Sequence, residues 1–449
     1  MSQVQAVVLA AGKGTRMKTR KPKVLHELCG RSMLQHVLET LRSCSINDPV
    51  VVISPELREH VEAAGIRFVV QEPQNGTGHA VQVALPKLNG DALLVLSADM
   101  PLVSVALIQS VLERQRSSAA DLTLVTARVE LPSSFGRVVR DGSMIRCIVE
   151  ERDATPQQRT IDEVNAGIYC FKTSALRSAI AGLSADNAQH ELYLTDCVAT
   201  IAQTSGRIET IEAQDLRSVI GINTRVELAR ADAMLRERLL QEHMLAGVTI
   251  VDPATTYVDV GVKIGIDSTI HPHSHLTGRT IVGKNCVIGP NAIIGNAAIA
   301  DGAHVLQSVV KDSIVGDGVT IGPFAHLRGN TIIEANAHVG NFVEMKNTRM
   351  GQDAKAGHLA YLGDAEIGER ANIGAGTITC NYDGTRKNKT KIGADAFVGS
   401  NSSLVAPLTI GEGALTGAGA VVLRDVPDGE RVAGNPAKPL NKKRVVGPS

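Results

Sequence analysis

From about Val248 onward the chain keeps a six-residue beat. Gly283, Gly289 and Gly295 fall six apart, and so do the pairs Gly316/Gly322, Gly368/Gly374, Gly393/Gly399 and Gly411/Gly417. An aliphatic residue stands directly before nearly every one, as Val282, Ile288, Ile294, Val315, Ile321, Ile367, Ile373, Ile392, Val398 and Ile410. A unit this short cannot bury its own apolar residue. Stacked into a β-helix, each unit supplies one flat face and its aliphatic side chain packs on its equivalents above and below. The glycine is expected where the chain must turn with an unusual backbone angle. Three units per coil give roughly ten coils. The repeat accounts for the glycine excess, 42 of 449 residues. The beat slips between Ile373 and Ile392, so Thr379–Thr390 (TCNYDGTRKNKT) reads as an inserted polar loop, either functional or merely solvated.

The first half follows another pattern. Val4–Ala10, Val50–Ser54, Arg67–Val70 and Ala92–Leu96 are short aliphatic runs suited to buried parallel strands. Met33–Arg42 and Leu102–Arg114 carry helical spacing between them. Later strands are predicted at Asp121–Val129, Arg137–Arg140, Met144–Val149 and Ala166–Phe171, and a late helix over Gln189–Thr204. Together these predict an α/β domain with a mostly parallel, Rossmann-like sheet, whose ligands sit beyond the carboxyl ends of the strands. Thr224–Ala246 has no Gly or Pro and reads as one long amphipathic helix, either a linker or the first domain's last helix. The resulting division is residues 1–225, a helical linker over 226–246, and a β-helix domain over 247–449.

Composition narrows the function. Lys plus Arg and Asp plus Glu are both 46, so no broad basic footprint for nucleic acid exists. Aromatics are 2% with no Trp, too few for a base-stacking platform. The seven Cys are odd in number and form no C-x-x-C, which favours free thiols in a reducing compartment. The N-terminal residues lack a signal-peptide pattern and no apolar run reaches membrane-spanning length. The expectation is a soluble, cytoplasmic protein with small-molecule partners, no nucleic acid and no membrane.

The string Leu9-Ala10-Ala11-Gly12-Lys13-Gly14-Thr15-Arg16-Met17 follows the first strand, and Pro22-Lys23-Val24-Leu25 comes soon after. A Gly-rich turn at a strand end exposes backbone N–H groups that cradle phosphates. Lys13, Arg16 and Lys23 add positive charge there, although Lys13 reads equally as a solvated loop lysine. The spacing is neither the Walker pattern nor the dinucleotide fingerprint. The whole string resembles the signature of sugar-phosphate nucleotidyltransferases. The resemblance extends to Gln74-Asn75-Gly76-Thr77-Gly78-His79-Ala80 with Gln71 before it, matching the family's base-binding loop. It also takes in Phe135-Gly136-Arg137-Val138, Ile148-Val149-Glu150 and Asn165-Ala166-Gly167, matching the sugar-pocket strands. It implies a UTP and UDP-N-acetylglucosamine site at Leu9, Ala10, Ala11, Gly12, Lys23, Gln71, Gly76, Thr77, Asp99, Gly136, Glu150, Asn165 and Asn223. Within it, Arg16 and Lys23 would neutralise phosphate, and one Mg²⁺ would be held by Asp99 and Asn223. Glu150 and Asn165 would bind sugar hydroxyls or the N-acetyl group, although a strand Glu also suits a structural ion pair. Where the family commonly has an aromatic-Gly-Asp triplet, this chain has Ser97-Ala98-Asp99.

The β-helix carries its own motifs. Phe324-Ala325-His326-Leu327-Arg328, Phe342-Val343-Glu344-Met345-Lys346, Gly357-His358-Leu359-Ala360-Tyr361-Leu362-Gly363-Asp364 and the run Asn372–Gly384 occur in that order. With the first half, they resemble the bifunctional bacterial N-acetylglucosamine-1-phosphate uridyltransferase/glucosamine-1-phosphate N-acetyltransferase family over nearly the whole chain. That resemblance implies a left-handed parallel β-helix and a homotrimer with acetyl sites between subunits. Its substrates would be glucosamine-1-phosphate, acetyl-CoA as co-substrate, and UTP. An amine must lose a proton before attacking a thioester, and a neutral imidazole suits that task; by motif it is His358. Arg328, Lys346, Tyr361, Asn372 and Lys387 match the glucosamine-1-phosphate ligands. Asn381, Tyr382, Ser400 and Ala418 match positions that contact acetyl-CoA. Ala433–Lys438 resembles the tail of other hexapeptide acyltransferases, and the CoA-contacting Arg of the family's tail has no partner here.

Two readings compete with a bifunctional enzyme. A single-activity nucleotidyltransferase with a structural β-helix predicts loss of the His358, Lys346 and Asn381-Tyr382 set. A scaffold without chemistry predicts a broken Gly12–Arg16 loop or a missing Asp99. His271, His273 and His275 alternate on one face, as three metal ligands would, but no carboxylate or Cys nearby completes a shell.

Overall fold

The computed structural model describes residues 3–131 and 133–440. The outermost parts of the two expected domains, residues 1–2 and 441–449, lie outside the described residues. Contacts divide the chain into two units, Met1–Leu235 and Arg236–Ser449, with the boundary inside the helix Arg225–Leu245. Among the described residues no helix is long and apolar enough to cross a membrane.

In the first unit Val4–Ala10 lies at the middle of a sheet, with Ala92–Ser97 and Val50–Ile53 as parallel neighbours. The main path runs Ile208–Glu212, Leu122–Arg128, Glu163–Lys172, Ala92–Ser97, Val4–Ala10, Val50–Ile53 and Phe68–Val70. Only Glu163–Lys172 runs against its neighbours on this path, and it also pairs with the hairpin Arg137–Asp141/Met144–Val149. Val50–Ile53 is buried at all four positions, which is why its sequence is continuous apolar rather than alternating. Helices cover both faces. Met33–Ser43 starts at Ser32, whose hydroxyl accepts from Gln35 N while the Gln35 side chain caps Ser32 N. Its Met33, Leu34, Val37, Leu38 and Leu41 face the core.

The late helix expected over Gln189–Thr204 is shorter. Only Asp196–Gln203 is helical. The backbone of Leu192 is engaged elsewhere: its N–H donates to Asn75 O at 2.9 Å and its carbonyl accepts from Gly78 N at 2.7 Å. Apolar spacing gave no sign of that pairing, more than a hundred residues away in sequence.

In the second unit short strands form three sheets, a parallel β-helix in which, among the described strands, Lys438–Pro439 pairs antiparallel. Ile250, Ile270, Ile288, Val305, Ile321 and Val339 lie in register along one sheet and are buried. The reason expected for the repeat glycines needs correction. Except at Gly289 and Gly322, the repeat glycines named above do not have positive φ. The left-handed position usually comes two residues later, at Asn285, Asn291, Arg370, Asp395 and Asn401 among others. The glycines are required by close approach. A Cβ on Gly374 would lie 2.5 Å from Ser400 N, and one on Gly393 2.5 Å from Glu412 N, in the next coil. The expected insertion Thr379–Thr390 is shorter: Thr379, Cys380 and Thr390 stay in coil strands, and only 381–389 leaves the coil as a small hairpin, with an antiparallel bridge between Tyr382 and Lys387.

Candidate functional sites

At the carboxyl ends of the central strands a cavity of about 480 Å³ gathers the glycine-rich loop residues Leu9–Arg16, with Lys23, Gln71, Gly76, Thr77, Asp99, Glu150, Asn165 and Asn223. Of the site residues expected in this half, only Gly136 is not part of the lining. It supports the wall from behind: its carbonyl accepts from Asn165 N at 2.8 Å, and a Cβ there would meet the Glu150 carboxylate at 3.4 Å.

Each wall has a local cause. Gly76 caps the helix Thr77–Ala84 with φ near 96°, and a Cβ there would lie 2.6 Å from Leu192 O, so only glycine fits. The expected base-binding loop therefore continues directly into a helix. Gln71 is buried, and its amide donates to Gly76 O at 2.9 Å, which leaves its side-chain carbonyl for a ligand. Asn223 sits at the start of Arg225–Leu245, where Glu227 Oε2 accepts from both Asn223 N and Thr224 N. Thr224 Oγ1 in turn accepts from Glu227 N, completing a capping box that holds Asn223 in place. The ammonium of Lys23 contacts the Asp99 carboxylate and donates to Asn223 Oδ1 at 3.1 Å.

Burial pushes the Glu150 carboxyl above its ordinary range, and Asp196 and Asp153 push the same way, while a hydrogen bond from Thr195 at 3.1 Å opposes. Glu150 has no cationic partner among its hydrogen bonds and ion pairs in the described structure, so the structural ion-pair reading does not hold; Glu151 instead pairs with the buried Arg137. Tyr169, Glu191, Leu194 and Thr195 also line the cavity and were not singled out from sequence. Tyr169 reaches it because the strand slips register between Asn165 and Tyr169, setting the phenol where Asn165 Nδ2 donates to it at 2.6 Å. The glycine in Asn165-Ala166-Gly167 was the available signal for that bulge. Glu191 and Thr195 had none.

In the β-helix, Arg328 and Lys346 are register partners on one outer sheet face, and Tyr361 follows opposite Glu344. The Arg328 guanidinium pairs with Glu344, with Nε at 3.0 Å. Lys387, carried by the inserted hairpin, is the nearest positive charge acting on Lys346, and together with Arg328 it pushes the Lys346 amine below its usual range. Three cations therefore converge. Asn381, buried at the hairpin base, donates to Asp364 at 2.6 Å, and Gly363 beside it leaves no room for a Cβ between Tyr361 and Asn381. Tyr382 is exposed, its hydroxyl turned to Gly384 O.

His358 ends the strand Lys355–His358 at a corner of the coil, exposed, with Nδ1 2.5 Å from Asn341 Oδ1. Backbone hydrogen bonds from Gly376 N to Leu359 O, Asn401 N to Ala375 O and Gly419 N to Ser400 O step along that corner. They carry Ser400 and Ala418 up the corner that holds His358. Asn372 lies on the sheet whose strands lead into this corner. His271, His273 and His275 form no metal-capable group among the described residues: His275 stacks on Tyr257 at 4.6 Å, on the same sheet as the cation cluster but several coils before it.

Comparison with known proteins places residues 6–205 in the MobA-like NTP transferase domain model. Residues 256–350 match the GMPPB C-terminal domain, and residues 389–424 match the hexapeptide repeat of succinyl-transferase. Over 435 residues the chain is 46% identical to the "Bifunctional protein GlmU" of Geotalea uraniireducens, covering 95% of each chain. It is 44% identical to the protein of that name in Heliobacterium modesticaldum over 434 residues, 96% of this chain and 95% of the relative. For that of Geobacillus sp. (strain WCH70) the identity is 41% over 446 residues, 98% and 97% of the two chains.

Proposed function

The chain belongs to the bifunctional GlmU family, and on that premise we propose that its two units perform the two steps that make UDP-N-acetylglucosamine. The β-helix transfers acetyl from acetyl-CoA to glucosamine-1-phosphate. The α/β unit then transfers UMP from UTP to the product and releases pyrophosphate. We assign residues 1–225 and 247–449 to the two activities, with 226–246 as the linker, in a cytoplasmic homotrimer with a left-handed β-helix. The exposed Phe324, Phe342 and Leu359 beside the His358 corner support a subunit-facing surface there.

In the acetyl site Arg328, Lys346 and Lys387 hold the sugar phosphate, with Tyr361 and Asn372 completing the sugar site. Asn381, Tyr382, Ser400 and Ala418 line the acetyl-CoA path. His358 Nε2 takes a proton from the sugar amine as its nitrogen attacks the thioester carbon. The C–S bond breaks, and the proton passes to the departing thiolate. In the uridylyl site a phosphate oxygen of the sugar attacks the α-phosphorus of UTP, a P–O bond forms, and the bond to the leaving pyrophosphate breaks. No covalent enzyme intermediate is needed, so the protein aligns two polyanions and offsets charge. Leu9–Gly12, Arg16 and Lys23 do this for the phosphates, Gln71, Gly76 and Thr77 receive the base, and Gly136, Glu150 and Asn165 shape the sugar pocket. Asp99 and Asn223 fit Mg²⁺: their two oxygens already share one cation, the Lys23 ammonium, and an all-oxygen set suits a hard ion. Bound there, Mg²⁺ would stabilise negative charge on the reacting phosphates.

The observation that favours two activities over one is the convergence of Lys346, Lys387 and Arg328 on the β-helix, a like-charge cluster that a purely structural coil has no reason to build. The test uses the full-length protein with Mg²⁺, UTP, glucosamine-1-phosphate and acetyl-CoA, following free thiol and pyrophosphate separately. The reading expects both products, with His358→Ala losing CoA release and Asp99→Ala losing pyrophosphate made from supplied N-acetylglucosamine-1-phosphate. Pyrophosphate without CoA release would reduce the β-helix to a scaffold.

A further inference from the structure

Asn341 and His358 end neighbouring strands, His338–Asn341 and Lys355–His358, and are register partners. The coils touch directly before them: a Cβ on Gly340 would collide with the carbonyl oxygen of Gly357, and Leu359 N donates to Asn341 O at 2.9 Å. Both side chains therefore leave a clamped backbone side by side. Asn341 Oδ1 lies 2.5 Å from His358 Nδ1. A carbonyl oxygen brings lone pairs and no hydrogen, so Nδ1 is the ring nitrogen that carries the proton and Nε2 keeps its lone pair. Which nitrogen is protonated is set by the bond the other one makes.

We infer that Asn341 is a positioning residue for acetyl transfer, holding His358 in the tautomer and ring orientation that present Nε2 to the sugar amine. The inference rests on the assignment of His358 as the base. An imidazole free to choose its tautomer spends part of its time with Nε2 protonated, where it cannot accept. An amide fixes the ring without placing a negative charge against it, whereas a carboxylate at the same position would favour the imidazolium and hold back the base. Among the described residues, His338 and Lys355, on the same two strands, are titratable neighbours of this corner, and His338 senses the charge of both His358 and Lys355.

The test compares Asn341→Ala, Asn341→Asp and His358→Ala in the full-length protein, following CoA release as a function of pH. Far-UV circular dichroism and the KM values of both acetyl-transfer substrates report whether the β-helix of each variant has folded, while pyrophosphate release from supplied N-acetylglucosamine-1-phosphate reads the α/β unit. Asn341→Ala is expected to lower kcat for CoA release by roughly ten-fold or more, with KM for both substrates within about two-fold and pyrophosphate release intact. Asn341→Asp is expected to recover much of that kcat at alkaline pH, with the acid limb of the profile displaced upward. A merely structural asparagine would move neither the kcat-against-KM split nor the limb. Unchanged kcat and pH profile in Asn341→Ala, with His358→Ala inactive in acetyl transfer, would overturn the positioning role alone. Retained CoA release in His358→Ala would overturn the base assignment and this inference with it.

Discussion

Lys23 and Asp99 form an ion pair at the mouth of the phosphate loop, with the ammonium also 3.1 Å from Asn223 Oδ1 and both side chains largely buried. The lysine stem is held by Gly14, where a Cβ would lie 2.8 Å from Lys23 Cβ. The ammonium thus occupies the space between the two oxygens assigned to Mg²⁺. A divalent ion entering there must displace it, and the phosphates of UTP give the displaced ammonium a new partner. Lys23→Met is therefore expected to tighten Mn²⁺ binding without nucleotide by several-fold, measured by calorimetric or paramagnetic titration. The same change should lower pyrophosphate formation by about 10²-fold, the cost of losing one preorganised charge at a reacting phosphate. Weaker Mn²⁺ binding in the variant would show that the lysine supports the metal rather than competing with it.

Glu150 predicts a trade between stability and activity. Burial, with Asp196 and Asp153 adding, raises its carboxyl above the ordinary 4.5. Below that value the group is protonated in both folded and unfolded chains and contributes nothing. As pH rises above it, the unfolded chain ionises first, so folding loses stability until the folded group has ionised too. Glu150→Gln removes that penalty. Its melting temperature should exceed the parent's at neutral pH, by about 2–4 °C for each kcal/mol relieved, and the two should converge below about pH 4. Uridylyl transfer should fall at the same time, because the carboxylate faces the cavity. A gain independent of pH would trace the effect to packing instead.

What was legible in the sequence was whatever depends on neighbours in the chain. Val4–Ala10 and Met144–Val149 were placed to the residue, and the long helix to within one residue at each end, since Arg225–Leu245 carries its own cap at Thr224. The glycine-rich loop Gly12–Gly14 was legible because a turn after a strand is a local arrangement. Features that depend on distant pairing were not. The residues before Asp196 leave the helix because Leu192 pairs with Asn75 and Gly78. Glu191 and Thr195 enter the cavity by the same route, and Tyr169 does so through a bulge. The β-helix was recognised from its period, yet the period alone could not separate a glycine needed for its φ from one needed for its missing Cβ.

The cation cluster predicts how the acetyl half recognises its anion. Lys346, Lys387 and Arg328 repel one another, and a phosphate dianion between them relieves that repulsion. Lys387→Met should raise KM for glucosamine-1-phosphate by roughly ten-fold with a smaller change in kcat. It should also flatten the salt dependence of acetyl transfer, because exposed charges are screened by salt. The KM for acetyl-CoA serves as the internal control. An equal rise in both would place Lys387 on the CoA path instead.

The steric account of the repeat glycines separates from the conformational one at neighbouring positions. Gly283 lacks a positive φ, but a Cβ there would lie 2.8 Å from both Ala300 C and Asp301 N of the next coil. Asn285, two residues later, holds φ near 55° with a full side chain. If glycine were needed for its backbone angle, Asn285 would be the position to gain from it and Gly283 would tolerate alanine. Close approach predicts the reverse emphasis. Gly283→Ala must push two coils apart and should cost about 1–3 kcal/mol, as overpacking a core does. Asn285→Gly should stay within about 1 kcal/mol of the parent, its relief of the left-handed angle set against the entropy of a freer chain. Denaturant midpoints of the two variants beside the parent decide between them: a stable Gly283→Ala would mean that the coils can separate at this turn, and the repeat would need another cause.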